Sequence, residues 1–212
     1  MEIICPNCEN PVDGEITTSL RENSSTVQEL FHGNLNLLFC NACAMDFHVQ
    51  SPLTFRSDDD SFIVFYNPLL AEQNWQTSEQ QMQAVYQESI KDIPAEVFPE
   101  ARLTLDRNQF IEKIALYLNE LDDRIIEYIK FVIFRNQDAN WDKHHLYYDF
   151  NSTATELIDF TILDRVSGKA EKTLSIPREV YDKFVEDSEG EFDPDEIFPG
   201  LYVQVDRLIQ QA

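Results

Sequence analysis

The chain has 212 residues, of which 43 % are hydrophobic and 12 % aromatic. That is enough apolar material for a core in one large domain or two small ones, and too much for a disordered chain. Its formal charge is −23, from 39 acidic and 16 basic side chains, a field that repels nucleic-acid phosphates and argues against direct nucleic-acid binding.

Residues 1–68 read as a metal-knuckle β unit. The only four cysteines form two matched pairs, Cys5-Pro6-Asn7-Cys8 and Cys40-Asn41-Ala42-Cys43. Each Cys-x-x-Cys turn can place two thiolates together. Two such turns facing each other make a closed tetrahedral S4 site for zinc, with iron as the alternative metal. Ile3 and Ile4 lead in as a short strand, and residues 15–20 read as another. Ser24 or Ser25 caps a short helix through Val27, Leu30 and Phe31, ended by Gly33. Leu35, Leu37 and Phe39 alternate with their neighbours in a strand that delivers Cys40. Phe47, Val49, Leu53 and Phe55 continue the β pattern, residues 58–60 turn, and residues 62–66 form a strand closed by Asn67-Pro68.

The 31 residues between Cys8 and Cys40 exceed the roughly 15–20 of a minimal ribbon, and the inserted helix accounts for the surplus. Glu9 and Ala44 stand where such a knuckle wants glycine. Positive φ there costs a non-glycine residue roughly 1–2 kcal/mol, small beside the ~10–16 kcal/mol that zinc binding supplies in small sites. In residues 1–70 the only basic side chains are Arg21 and Arg56, against ten acids. A site of four thiolates and one zinc ion must therefore be stabilised by backbone N–H groups and the ion itself.

These residues resemble the CpXC-domain family, named for two Cys-Pro-x-Cys motifs. Cys5-Pro6-Asn7-Cys8 matches the first motif. Phe47-His48-Val49-Gln50-Ser51-Pro52-Leu53, an acidic turn, then Phe62-Ile63-Val64-Phe65-Tyr66-Asn67-Pro68 resemble the stretch after the second. Ile111-Glu112-Lys113-Ile114 and Leu121-Asp122-Asp123-Arg124-Ile125-Ile126-Glu127 are similar to the family's helical part, so the likeness covers roughly residues 1–135. Asn41 departs from the name's proline and bears on turn rigidity, not on the ligands. The resemblance implies an architecture and a metal site, but no reaction.

Residues 69–107 read as a connector. Ser78 and Gln81 suit a capping box, Met82, Val85 and Tyr86 give a thin apolar stripe, Pro94 and Pro99 break it, and Leu103 and Leu105 mark a short strand. Residues 108–212 read as a helical hairpin plus an α+β part, packed as one or two domains. Phe110, Ile111, Ile114, Leu118 and Leu121 share one helical face, and Ile125, Ile126, Ile129, Val132 and Ile133 another. Asp122 caps the second helix, which makes an αα-hairpin. Residues 146–150 form a strand, as do Ile158, Phe160 and Ile162, and Ser167-Gly168 turns back into Leu174 and Ile176. Pro177 opens a helix through Val180, Tyr181, Phe184 and Val185. Residues 187–191 form an acidic loop. Leu201, Val203 and Val205 form a last strand, and Leu208 and Ile209 a tail helix. The expected fold class is α+β: a zinc-ribbon-like antiparallel β unit with a helical hairpin and a C-terminal α+β part.

Five glycines leave little room for a phosphate loop or dinucleotide fingerprint, and neither these nor a serine-nucleophile elbow occurs. His144 and His145 read as a loop pair, and His48 as facing solvent or the metal's outer shell. Asp122 with Asp123 reads as a cap plus a surface acid, and Glu112 with Lys113, like Asp123 with Arg124, as solvated helix charges. No catalytic residue is assigned. No run reaches the roughly 18 apolar residues of a membrane span, and Met1 is followed by no basic or apolar leader. A cytoplasmic protein is expected, where reduced thiols favour metal over disulfides. The leading expectation is a zinc-stabilised, acidic, non-catalytic interaction protein with a protein partner. The alternatives are rubredoxin-like iron electron transfer, a thiol–disulfide oxidoreductase using Cys5 and Cys8, and a nucleic-acid mimic.

Overall fold

Each cysteine turn closes a two-stranded hairpin, and the remaining segments build two larger sheets covered by helices. The structure, a computed structural model, describes residues 2–69, 73–136, 138–187 and 192–210. In chain order the first half comprises β1 (Glu2–Ile4), β2 (Pro11–Asp13), β3 (Ser19–Arg21), α1 (Ser25–Phe31), β4 (Leu37–Cys40), β5 (Met45–His48), β6 (Leu53–Arg56), β7 (Phe62–Tyr66), α2 (Trp75–Ile90) and β8 (Glu100–Thr104). The second half comprises α3 (Arg107–Leu118), α4 (Asp123–Arg135), β9 (His144–Tyr148), β10 (Leu157–Asp164), β11 (Ala170–Pro177), α5 (Arg178–Asp187), α6 (Pro194–Ile197) and α7 (Val205–Ile209). The class is α+β, as expected.

The antiparallel hairpins β1–β2 and β4–β5 hold the cysteine turns. The four-stranded sheet runs β3-β6-β7-β8 and is mixed: β6 and β7 are antiparallel, while β3/β6 and β7/β8 are parallel. Parallel neighbours need a long crossover. Between β3 and β6 that crossover contains α1 and the whole β4–β5 hairpin. The segment between the cysteine pairs thus contains α1, as expected, and also β3, which leaves the hairpins to join the four-stranded sheet. Between β7 and β8 the crossover contains α2, so residues 69–107 contribute one helix and one strand to this layer.

Alternation along the strands gives the sheet two apolar faces. Leu53, Phe55, Phe62, Val64 and Tyr66 meet Val27 and Leu30 of α1 and Phe110 and Ile114 of α3. On the other side Ala101 and Leu103 meet Tyr86 and Ile90 of α2, with Leu201 and Tyr202. Phe55 and Phe110 are both fully buried, each worth about 1.5–3 kcal/mol relative to exposure. The second sheet, β11-β10-β9, is antiparallel. Its Leu146, Ile158, Phe160 and Ile162 pack against Ile125, Ile126, Ile129 and Ile133 of α4.

The caps explain where the helices begin. The Asp106 side chain accepts from Gln109 N at 2.9 Å and starts α3; Asp122 accepts from Arg124 N at 2.9 Å and starts α4. The helical hairpin therefore stands as expected. Helix α2 instead starts at Trp75, because Asn74 accepts from Thr77 N at 2.9 Å, and this leaves Ser78 buried inside the helix and not at a capping box.

Three further expectations change. The strand expected at residues 15–20 is confined to β3, because the Asn36 side chain brackets Thr17, accepting from its N–H at 2.9 Å and donating to its carbonyl at 2.8 Å. The strand expected through Leu201 and Val203 pairs with no full ladder. Leu103 N donates to Leu201 O at 2.8 Å, but Tyr202 N goes to Glu79 Oε1 and Val205 N to Glu127 Oε2, both at 2.8 Å. Carboxylates take the N–H groups that a neighbouring strand would have taken, and Val205 begins α7. The histidine pair lies in β9, with His144 opposite Asp164 and His145 opposite Leu163, and not in a loop. The expected acidic loop lies mostly outside the described residues.

Candidate metal centre

Strand β1 ends one residue before Cys5, and β4 ends at Cys40. Cys5 N donates to Asn10 O and Glu9 N donates to Cys5 O, both at 3.0 Å, which folds the first turn back into β2. The residues after the second cysteines take positive φ: 58° at Glu9 and 53° at Ala44. Both turns adopt the expected knuckle conformation without glycine, and its backbone strain must be offset by what the turns hold.

The four sulfurs converge. Cys5 Sγ lies 3.7 Å from Cys43 Sγ and Cys8 Sγ lies 3.6 Å from Cys40 Sγ, and all four lie within 4.8 Å of one another. A tetrahedral thiolate site with arms of about 2.3 Å has edges of roughly 3.8 Å, so the set fits one zinc or one iron ion. The separations are far beyond a disulfide bond of about 2.05 Å, and all four cysteines are free. Cys5 and Cys40 are buried, and Ile3, Val12, Leu38, Phe47 and Val49 surround the sulfurs with apolar surface. Gly14 makes room for this shell: a Cβ there would stand 2.7 Å from Leu38 Cδ2.

The thiols interact strongly. The Asn10 side chain and backbone draw the Cys8 thiol down to about 6, and Asn10 Nδ2 lies 3.4 Å from its sulfur. At Cys43 the Asn7 side chain pulls downward, but desolvation and the three surrounding sulfurs push the thiol up to about 11. Four thiolates at this spacing repel one another unless a cation sits among them, and a coordinating thiol is deprotonated outright. The four sulfurs could thus hold a cation. Strand β2 follows the first turn and β5 the second, so neither turn opens a helix whose dipole would lower a redox-active thiol.

Of the charges expected to be solvated, Glu112, Lys113 and Asp123 are buried, together with Glu127, Lys130 and Arg102. Lys113 Nζ pairs with Asp123 Oδ2 at 2.9 Å and Glu127 Oε1 at 3.0 Å. Lys130 Nζ pairs with Glu127 Oε1 at 3.0 Å and Glu112 Oε1 at 2.7 Å, and Arg102 Nη2 pairs with Asp123 Oδ1 at 2.8 Å. Three buried cations and three buried anions alternate between β8, α3 and α4, and Arg102 also pairs with the more exposed Glu100. Burial alone would raise Asp123 and Glu127, but the adjacent cations hold both carboxyls below their ordinary range. Burial raises Glu112 despite Lys130. Arg124 does stay partly exposed, paired with Asp122 and Asp195. The signal for the network is legible in hindsight: Asp123, Glu127 and Lys130 recur at i, i+4 and i+7, beside the apolar stripe of α4.

Of the histidines, His48 Nε2 is 2.8 Å from Gly33 O and braces the second hairpin. His144 Nε2 is 3.2 Å from Glu171 Oε2. His145 is lowered to about 4 by burial, then by Arg165 and Lys130. None of the three joins the sulfur cluster. No helix among the described residues is long and apolar enough to cross a membrane.

A family model described as CpXC protein matches residues 3–130, which include all four cysteines, α3 and the first part of α4. No curated protein and no solved structure matches the chain.

Proposed function

The chain belongs to the CpXC family, and on that premise we propose that Cys5, Cys8, Cys40 and Cys43 bind one structural zinc ion in a non-catalytic interaction protein. The observation that carries the reading is the convergence of four sulfurs within 4.8 Å. Four thiolates saturate zinc and leave no position for an activated water, so the ion's contribution is to hold the two hairpins together. The outer faces of those hairpins supply the interaction surface. Ile4 is 57 % and Phe39 is 50 % exposed, and Asp46 stands opposite Phe39. Apolar side chains among acids, on a chain of charge −23, fit a protein partner that offers apolar and basic groups. A reducing compartment such as the cytoplasm keeps the ligands available.

Elemental analysis and a visible spectrum of anaerobically purified protein test the metal. One zinc per chain without colour supports the reading. Iron with visible absorption replaces it with a rubredoxin-like centre, and four titratable thiols without metal overturn both. A Phe39→Glu variant that keeps its metal and still captures the same proteins as the wild type would remove the proposed surface.

A further inference from the structure

Away from the cysteines, a cleft of about 160 Å³ lies between α3 and the sheet β11-β10-β9. It opens on the sheet face that carries Tyr147, Asp149, Thr161 and Leu163, opposite the face whose Leu146, Ile158, Phe160 and Ile162 form the core. Glu112 enters it from α3 and is 2 % exposed. Its Oε1 accepts from Tyr148 N at 2.6 Å, which caps the free edge of β9, and from Lys130 Nζ at 2.7 Å. Its Oε2 is buried and has no hydrogen-bond partner among the described residues. A buried acceptor left in that condition is unfavourable.

The chemistry of the walls restricts what can satisfy it. Asp149 brings a second carboxylate, held by Asn151 N at 3.1 Å. No lysine, arginine or histidine lines the cleft, and Tyr147, Tyr148 and Phe150 supply aromatic surface. An anion is therefore disfavoured. A bare metal ion is too, because the only His, Cys, Asp or Glu grouping among the described residues with metal-ligand convergence is the cysteine set. The volume is roughly ten times what one water needs.

We propose that this cleft binds a small primary amine in its ammonium form. The ammonium donates to Glu112 Oε2, Asp149 supplies the second negative charge, and the carbon chain lies against Ile111 and the aromatic rings, where a cation is also favoured. The site joins α3, which lies inside the family match, to β9 and β10, which lie outside it. It is independent of the metal reading.

Calorimetric titration of the intact, metal-replete protein with n-butylammonium chloride tests it, with butan-1-ol as the neutral isostere. Saturable one-to-one binding is expected, with the alcohol weaker by about tenfold or more, the value of one charge-assisted hydrogen bond. Glu112→Gln keeps an oxygen for Tyr148 N and should weaken amine binding by a similar factor. Because that change also touches Lys130, Asp149→Asn serves as the variant outside the ion network and should weaken binding about fivefold or more. Asp58→Asn, in the exposed turn between β6 and β7, removes the same net charge and should leave affinity within about twofold. No saturable binding, equal binding of amine and alcohol, or equal losses in Asp149→Asn and Asp58→Asn would each overturn the proposal.

Discussion

Replacing Glu127 with glutamine tests the buried network at its centre. Glu127 is fully buried and accepts from Lys113 and Lys130, both at 3.0 Å, through Oε1, and from Val205 N at 2.8 Å through Oε2. Breaking a buried pair by removing one partner costs about 3–5 kcal/mol. Each lysine keeps a second carboxylate, Asp123 for Lys113 and Glu112 for Lys130, which places Glu127→Gln near the lower end, at about 3 kcal/mol. That is a folding constant lower by roughly a hundredfold. Glu127→Ala also strands Val205 N, adding about 1–3 kcal/mol. Urea unfolding at pH 7, followed by fluorescence and circular dichroism, reads both values, with an unchanged denaturant slope if only stability has moved. The acid limb gives a second readout. Asp123 and Glu127 are held below their ordinary values. Their stabilisation is therefore complete above the unfolded value of about 4 and is lost as pH falls through the folded values. Glu127→Gln should lose part of that acid sensitivity. A cost below about 1 kcal/mol with an unchanged slope would mean that the six charges are hydrated, and the sealed-network argument would be refuted.

Three other outcomes follow from single features. Ala44→Gly relieves the 53° φ of the second knuckle and should raise the urea midpoint by the equivalent of about 1 kcal/mol, with metal content unchanged. Removal of the proposed zinc ion by a strong chelator should loosen the β1–β2 and β4–β5 hairpins first, seen as faster amide exchange there than in α3 and α4. Asp206 is raised to about 6, chiefly by burial. Because the folded state holds that proton more tightly, it favours folding as pH falls from 6 towards 4, and an Asp206→Asn variant should lack this rise in its pH–stability curve.

Local spacing carried a large part of this protein. Two Cys-x-x-Cys turns specify their own conformation, down to the positive φ at Glu9 and Ala44. The apolar stripes on either side of Asp122 specify two helices and the break between them. These features depend on neighbours a few residues away, so the order of side chains determines them directly. Strand partners and the fate of charges do not work that way. The sequence by itself determined the two Cys-x-x-Cys turns, the α+β class and the helical hairpin. Only the tertiary structure decided that β4–β5 sits inside a crossover and that carboxylates in place of a strand satisfy Tyr202 and Val205. It also decided that Glu112, Lys113, Asp123, Glu127 and Lys130 lie buried in one ion-pair network with Arg102, between β8, α3 and α4. A charged helix position reads the same whether it faces water or an opposite charge. The difference arises when an element distant in the chain excludes the water and supplies the partner.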